Sequence, residues 1–376
     1  MKKLLPRIVA DNKIPYLKGV FEPVADVEYL SPDRITPQAV ADADVLIVRT
    51  RTHCDAALLS GSRCRFIATA TIGFDHIDTE YCRAHGIGWT NAPGCNASSV
   101  AQYVLASLYI WAEKNRRTLP SCCIGVVGVG HVGSIVADYC RRIGMTVLLN
   151  DPPRAEREGG ESFTPLGELA ERCDILTFHT PLVFGGDHPT FHLADRHFLS
   201  GLRRKPLLIN SARGEVVDNA ALAEALSDGI VGDAVVDCWE HEPDAMPELL
   251  RSALIATPHI AGYSADGKAN ATRMAVDAVA HYLHVEVDRS GIVPASVENP
   301  VIDLQDSRNP VADAVWATYD PRNDSRRLTE APHTFEQLRG AYGLRREFGA
   351  YRLKNIPEES RRVLSDLGFK EISSAD

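Results

Sequence analysis

An α/β fold built on parallel sheets is predicted by three observations. Short apolar runs alternate with polar stretches of helical period from the N-terminus to about residue 285. A glycine-rich turn, Gly128-Val129-Gly130-His131-Val132-Gly133, separates one apolar run from a helical stretch. Charged and polar residues gather where the later runs end, and the carboxyl edge of an open α/β sheet is where ligands bind.

Taken in order, the runs at 7–10, 45–48, 66–70 and 87–90 read as strands of parallel βα units. Residues 97–115, with Val100, Val104, Leu105, Leu108 and Trp111 on a helical period, form one long helix that marks a domain boundary. The run 124–127 is a buried strand feeding the glycine turn. Gly128 permits the tight turn, Gly130 lets backbone approach a pyrophosphate, and Gly133 lets the next helix pack on the strand. That helix starts near His131 and aims unpaired N–H groups and the positive end of its dipole at the same pyrophosphate. The strand 146–149 ends at Asn150-Asp151, and Asp151 stands eighteen positions after Gly133. A carboxylate there accepts hydrogen bonds from the adenosine ribose hydroxyls and repels a 2′-phosphate, so NAD is favoured over NADP. Adenosyl-binding methyltransferases are the competing reading of such a turn. Further strands are expected at 174–178, 206–210, 231–237 and 253–256, then a helix over 265–283 that returns to the first domain. The predicted domains are a substrate domain split over 1–96 and 265–287, a nucleotide domain over 97–264, and a tail domain over 288–376. In the tail, Val293-Pro294 and Asn299-Pro300 break a loop-like stretch. An apolar run at 311–318, a helix near 334–342, an apolar alternation at 347–353 and a helix near 358–367 follow.

Composition narrows the partners. With 376 residues the chain has room for two or three cores, and 45% hydrophobic with 24% charged residues is ordinary for a globular protein. A net charge of −10 argues against a nucleic-acid or anionic-membrane surface, so an anionic substrate has to be held by local arginines. No apolar run approaches the length of a membrane span, and the N-terminus enters a strand without a signal-peptide core. Nine cysteines, an odd number without a C-x-x-C pair, read as reduced thiols of a cytoplasmic protein. Vicinal Cys122 and Cys123 read as strand-filling residues, with a redox switch as the alternative. No metal is expected: His281 and His284 share a helix face and Cys238 is nearby in sequence, but no spacing supplies three or four zinc ligands.

The candidate chemistry lies at three successive strand ends: 209–214 carries Arg213, 237–243 carries Glu242, and 257–262 carries His259. Oxidising an alcohol by hydride loss needs a base for the hydroxyl proton, and an imidazole with an ordinary pKa of about 6.5 suits that task. A carboxylate hydrogen-bonded to the ring would orient it and stabilise the imidazolium. The planar fork of Arg213 can pin a carboxylate and polarise the adjacent oxygen. In the first domain, Arg49 and Thr50 with Arg51 and Thr52, and the turn Thr71-Ile72-Gly73, supply cations and N–H donors suited to a phosphate. A solvated basic loop is the plainer reading of the same residues.

At these residues the chain resembles the D-2-hydroxyacid dehydrogenases. The matching elements are the turn 128–133, His-Thr-Pro-Leu at 179–182, Asn-Ser-Ala-Arg-Gly at 210–214, Asp-Cys-Trp-Glu-His-Glu-Pro at 237–243 and Thr-Pro-His-Ile-Ala-Gly-Tyr-Ser at 257–264. The resemblance implies a Rossmann NAD-binding domain inserted in a flavodoxin-like substrate domain, with NAD as cofactor. It further implies that Arg213 binds the substrate carboxylate, Glu242 supports the histidine and His259 is the acid/base. Asp151, Thr180, Ser211, Ala212, Asp237 and Gly262 would join the glycine turn around the cofactor, and Tyr263 would join Arg49, Thr50, Thr71 and Gly73 at the substrate. Phe335-Glu336-Gln337-Leu338-Arg339, Tyr342 and 344–348 are similar to the small α+β dimerisation domain of one branch, as are Val48-Arg49-Thr50 and the run 70–78. That branch acts on a four-carbon 2-hydroxy acid phosphorylated at C4. A homodimer through the tail follows, with Arg345 and Arg346 able to supplement the phosphate pocket if the tail covers a cleft. Phe74, Gln102 and His131 depart from the family pattern, none at a catalytic position. Two other readings stay open: phosphoglycerate dehydrogenase, which usually carries a different regulatory tail, and an NAD-sensing corepressor without turnover.

Overall fold

The computed structural model describes residues 5–372. The chain forms two compact units, one running to Asn96 and resuming over Ser264–Ala295, the other comprising Ala97–Tyr263 and the tail from Ser296.

The first unit holds five parallel strands: β1 (Arg7–Asp11), β2 (Asp26–Leu30), β3 (Val45–Val48), β4 (Phe66–Thr69) and β5 (Gly88–Thr90). Their spatial order is β2-β1-β3-β4-β5, the flavodoxin-like winding. All of β3 is buried, and its Val-Leu-Ile-Val run is what a strand covered on both faces requires. The edge strand β2 is absent from the sequence expectation. Its Asp-Val-Glu-Tyr-Leu run buries only Leu30, so it carries no apolar signal. The helix Ala265–Leu283 begins where expected, because the Ser264 hydroxyl accepts from the Gly267 N–H at 2.8 Å and caps it. Ala269, Ala275, Val276 and Val279 on this helix pack with Ile8, Ala10, Val45 and Ile47 of the sheet.

The second unit is built on six parallel strands: β6 (Cys123–Val127), β7 (Thr146–Asn150), β8 (Ile175–Phe178), β9 (Leu207–Asn210), β10 (Asp233–Val236) and β11 (Ile255–Ala256). Their order, β11-β10-β9-β8-β6-β7, reverses between β6 and β8, and the crevice at such a switch point is where dinucleotides bind. The helix Ala97–Lys114 buries fifteen of its eighteen residues, which means that it is covered on every side.

Much of that cover is the tail. Strands β12 (Val301–Asp303), β13 (Arg352–Lys354) and β14 (Lys370–Glu371) form a parallel sheet in sequence order. The apolar run expected at 311–318 is the helix Pro310–Thr318, with proline in its first turn and the Asn309 side chain accepting from the Ala312 N–H. Ala312, Val315, Tyr319, Phe348, Leu353 and Phe369 share one core with Tyr103, Leu105 and Leu108 of the long helix and Ile124 of β6. Two further tail helices match the expectation closely, Phe335–Gly340 and Glu358–Asp366. A third, Pro321–Glu330, was not expected, since only Pro321, Ser325 and Leu328 are buried in its largely charged sequence.

Candidate active site

The glycine turn follows β6, and each glycine has a distinct physical role. Gly128 sits at φ +85°, and a Cβ there would lie 2.7 Å from the Thr180 backbone nitrogen. A Cβ on Gly133 would lie 2.0 Å from the Gly128 oxygen, so only glycine allows the helix His131–Arg142 to start so close to the strand. Gly130, the residue before that helix, has nothing within 4 Å of a would-be Cβ and no side-chain cap, so its face and the first N–H groups of the helix stay open. His131 is exposed and Val132 half-buried at that opening. The Thr180 hydroxyl is buried without a hydrogen-bond partner. Asp151 follows β7: one carboxylate oxygen accepts from the Val129 N–H at 2.8 Å and the other from the Arg154 N–H at 3.1 Å. These features fit NAD, with an open, positively polarised turn for the pyrophosphate, a carboxylate at the ribose position and an orphaned hydroxyl beside the turn.

At the ends of β9, β10 and β11 the sequence-predicted residues fall into one network. His259 Nδ1 lies 2.9 and 3.0 Å from the two carboxylate oxygens of Glu242, and the Trp239 N–H donates to the same carboxylate at 3.0 Å. About a third of the His259 side chain is exposed. Burial works against the imidazolium, but Cys238 and Glu242 outweigh it and hold the His259 pKa well above its ordinary value. Burial also pushes the Cys238 thiol up, which keeps it neutral, so the Glu242 carboxylate is the charge that decides. Glu242 itself is held low: burial opposes this, yet its bond to His259, the charge of His259, the Trp239 N–H and the charge of Arg339 prevail.

Asp237, buried at the end of β10, does not present its carboxylate outward. One oxygen accepts from the Thr257 hydroxyl at 2.7 Å and the Ile260 N–H at 2.8 Å, the other from the Ala261 N–H at 2.9 Å. The Tyr103 hydroxyl lies 2.7 Å from that of Thr257 and extends the network into the long helix. Gly262 lies in a turn closed by the Tyr263 N–H on the Ile260 oxygen at 2.9 Å, and the Tyr263 ring meets Tyr342 edge-on. Arg213 is half-buried, its Nη1 donating to the Ala212 oxygen at 2.8 Å, and that same oxygen accepts from the Cys238 thiol at 3.5 Å. Ser211 Oγ is 3.5 Å from the ring of His179, which burial pushes down to about 3 and so keeps neutral.

In the first unit, Arg49 is half-buried with Nη1 donating to the Lys13 oxygen at 3.3 Å, while Thr50 is exposed. The Thr71 hydroxyl donates to the Gly73 oxygen at 2.9 Å and meets Thr69, whose hydroxyl lies 3.0 Å from His76 Nε2. Sequence reasoning missed Lys268, whose ammonium is pushed down by burial and by the charge of Arg49. It quoted Arg339 only as part of the run 335–339 and gave no role to this tail cation, whose charge reaches Glu242 and Tyr263. The reach of a charge across the fold leaves no sequence signal. Arg345 is buried and wholly engaged within its own chain, so it does not supplement a phosphate pocket. Cys122 is buried and Cys123 lies in β6, with its sulfur 3.8 Å from that of Cys173. Among the described residues, one group of potential metal ligands falls together: Cys238, Glu242 and His259, within 4.8 Å of one another. It consists of the histidine–carboxylate pair and the buried thiol beside it.

Comparisons with known proteins bear on this arrangement. The domain described as D-isomer specific 2-hydroxyacid dehydrogenase, NAD binding domain, matches residues 102–261, and a domain of unknown function matches 297–368. An erythronate-4-phosphate dehydrogenase of Bacteroides fragilis is 53% identical over 348 residues, covering 92% of this chain and 99% of that protein. One of Porphyromonas gingivalis is 45% identical over 368 residues, covering 96% and 99%. Among solved structures, D-lactate dehydrogenase of Aquifex aeolicus complexed with NAD and lactic acid has a TM-score of 0.57 at 24% identity, covering 74% of this chain and 95% of that one. A 2-hydroxyacid dehydrogenase of Ketogulonicigenium vulgare has a TM-score of 0.63 at 21% identity, covering 79% and 100%. These two share the fold. With a nucleotide site that fits NAD and relatives this similar over almost their whole length, the chain belongs to the erythronate-4-phosphate dehydrogenases, NAD-dependent oxidoreductases of the 2-hydroxyacid dehydrogenase type.

Proposed function

We propose that the protein oxidises 4-phospho-D-erythronate to 2-oxo-3-hydroxy-4-phosphobutanoate, the family's step in pyridoxal 5′-phosphate synthesis, in the cytoplasm. The observation that carries the mechanism is the His259 Nδ1–Glu242 pair, held at adjoining strand ends beyond the glycine turn. Gly128–Gly133 and Asp151 would hold NAD, which would supply the acceptor for the C2 hydride. Thr180, Ser211, Ala212 and Gly262 complete the cofactor wall, and Asp237 shapes it by holding the backbone of Ile260 and Ala261. Arg213 grips the C1 carboxylate and polarises the C2 oxygen. Because Nδ1 is committed to Glu242, Nε2 is the nitrogen that takes the C2 hydroxyl proton, and Glu242 balances the imidazolium that results. Arg49, with Thr50, Thr71 and Gly73, binds the C4 phosphate, and Tyr263 lines the substrate side.

The same reading makes the protein a homodimer through its tail, where Leu344 and Val301 leave 55% and 45% of their surface exposed. Sedimentation of the wild type and of Leu344→Asp tests this, since an unchanged dimer would place the interface elsewhere. The reaction is tested by NADH formation across a panel of 2-hydroxy acids with and without a 4-phosphate. Preference for 3-phosphoglycerate would overturn the substrate, and no turnover with any of them would favour a binding protein.

A further inference from the structure

His259 occupies a backbone conformation that L-residues avoid, at φ +53°. A residue held in that region is strained and persists only where its surroundings over-determine it. The two residues that follow are clamped from both directions. From the sheet side, the Asp237 carboxylate accepts the N–H groups of Ile260 and Ala261 at 2.8 and 2.9 Å. From the other side comes a cation of the tail: Arg345 Nη1 donates to the carbonyls of Ile260 and Ala261 at 3.3 and 3.1 Å. The same guanidinium reaches the long helix, with Nη2 on the Ser99 oxygen at 2.6 Å and Nε on the Gln102 amide oxygen at 3.0 Å. Its carbon lies 3.7 Å from the centre of the Tyr319 ring, and only 4% of Arg345 is exposed.

This is an unusual use of a charge. A buried guanidinium whose partners are three backbone carbonyls, one amide and an aromatic face gives up hydration without a carboxylate in return among the described residues. Its planar fork spans several acceptors at fixed angles, which an ammonium cannot do. Gln102 is fixed in turn, its amide donating to the Thr318 hydroxyl at 2.9 Å and the Arg346 oxygen at 3.1 Å.

We propose that Arg345 is a positioning residue for His259: the tail is part of the catalytic apparatus because its buried guanidinium holds the Ile260–Ala261 carbonyls and so keeps the imidazole in register with Glu242. The proposal rests on the reading of His259 as the base. Arg345 touches neither substrate nor cofactor, and its effect passes through the strained backbone.

The test uses the full-length protein with Arg345→Met, which keeps bulk and removes every donor, and Arg345→Lys, which keeps charge and removes the fork. Turnover of the phosphorylated hydroxy acid should fall at least tenfold in both, and by more than any loss of NADH affinity by fluorescence, because Ile260 and Ala261 also border the cofactor wall. The acid limb of the rate profile should move towards lower pH, because a loosened ring loses part of its contact with Glu242. In a His259→Asn background, adding Arg345→Met should cost nothing further, since the two residues act as one unit. A soluble, NADH-binding Arg345→Met with unchanged turnover and pH profile overturns the proposal, as does an equal loss with and without His259. Failure of both variants to fold also overturns it, because Arg345 would then serve the fold as a whole. Near wild-type turnover of His259→Asn alone would instead refute the reading of His259 as the base, so the two failures are distinguishable.

Discussion

Replacing Glu242 with glutamine removes one charge and little else. The amide is isosteric, its oxygen can still accept from His259 Nδ1 and from the Trp239 N–H, and the ring tautomer is kept. What is lost is the charge-assisted part of a bond of 2.9–3.0 Å to a group only about a third exposed. Hydrogen bonds to charged groups contribute about 1.5–3 kcal/mol, and 1.36 kcal/mol is about one pKa unit, so the His259 pKa should fall by about one to two units. Oxidation needs the neutral imidazole, so the acid limb of kcat/KM should shift to lower pH by that amount while the plateau drops, because the developing imidazolium loses its counter-charge. Steady-state NADH formation between pH 5 and about 10 measures both. A limb that stays put, or moves to higher pH, refutes the account of Glu242. Stability gives a second check. The raised His259 pKa contributes stability that is fully present below the unfolded value of 6.5 and is lost as pH rises through the folded value. The lowered Glu242 pKa contributes above its unfolded value of 4.5 and is lost as pH falls through the folded one. The difference in Tm between wild type and Glu242→Gln should therefore be largest between those two values and shrink on either side.

His259→Asn should lower kcat by about 10²–10⁴ with NAD affinity unchanged, and near wild-type turnover at neutral pH would remove it as the base. Gly130→Ala should fold with an unaltered Tm but bind NADH more weakly, whereas Gly133→Ala should lose its fold, because the added Cβ meets open space in one case and the Gly128 oxygen in the other; calorimetry and fluorescence titration separate the two. Asp151→Ala should narrow the NAD-over-NADP ratio of catalytic efficiencies, and an unmoved ratio would mean that its carboxylate serves only the Val129 and Arg154 N–H groups. Arg49→Ala should cost roughly tenfold to hundredfold on the phosphorylated substrate, from about 1.5–3 kcal/mol of charge-assisted binding, and leave erythronate nearly untouched; equal losses on both would assign Arg49 elsewhere.

The nucleotide turn was legible because each of its glycines answers a local demand that the residue type itself records. The strands β3 and β6 were legible because a sheet covered on both faces needs an unbroken apolar run. Where burial is asymmetric the pattern fades: β2 at the sheet edge and the helix Pro321–Glu330 each turn mostly polar residues outward. Arg345 was noticed only as a candidate phosphate ligand, and its burial could not be read, since a buried arginine and a solvated one are written with the same letter. A signal did exist elsewhere. Gln102, in a helix that is buried on almost every side, is a long polar side chain that must find partners once covered, and those partners turn out to lie in the tail.

The shared core of the long helix and the tail has a consequence for how the protein is made. During synthesis the helix Ala97–Lys114 emerges early, yet the residues that cover it, from Ala312 to Phe369, are among the last of the chain to appear. The first unit waits as well, because its sheet is closed by the helix Ala265–Leu283. A domain that folds vectorially can bury its apolar surface as it leaves the ribosome, but here neither unit is contiguous in sequence. The nascent chain therefore carries a helix whose tail-facing side chains stay exposed until translation is nearly finished. A ribosome stalled once the helix Ala265–Leu283 has cleared the exit tunnel, but before the tail has emerged, should hold a chain whose first unit resists protease while its long helix is cleaved more readily.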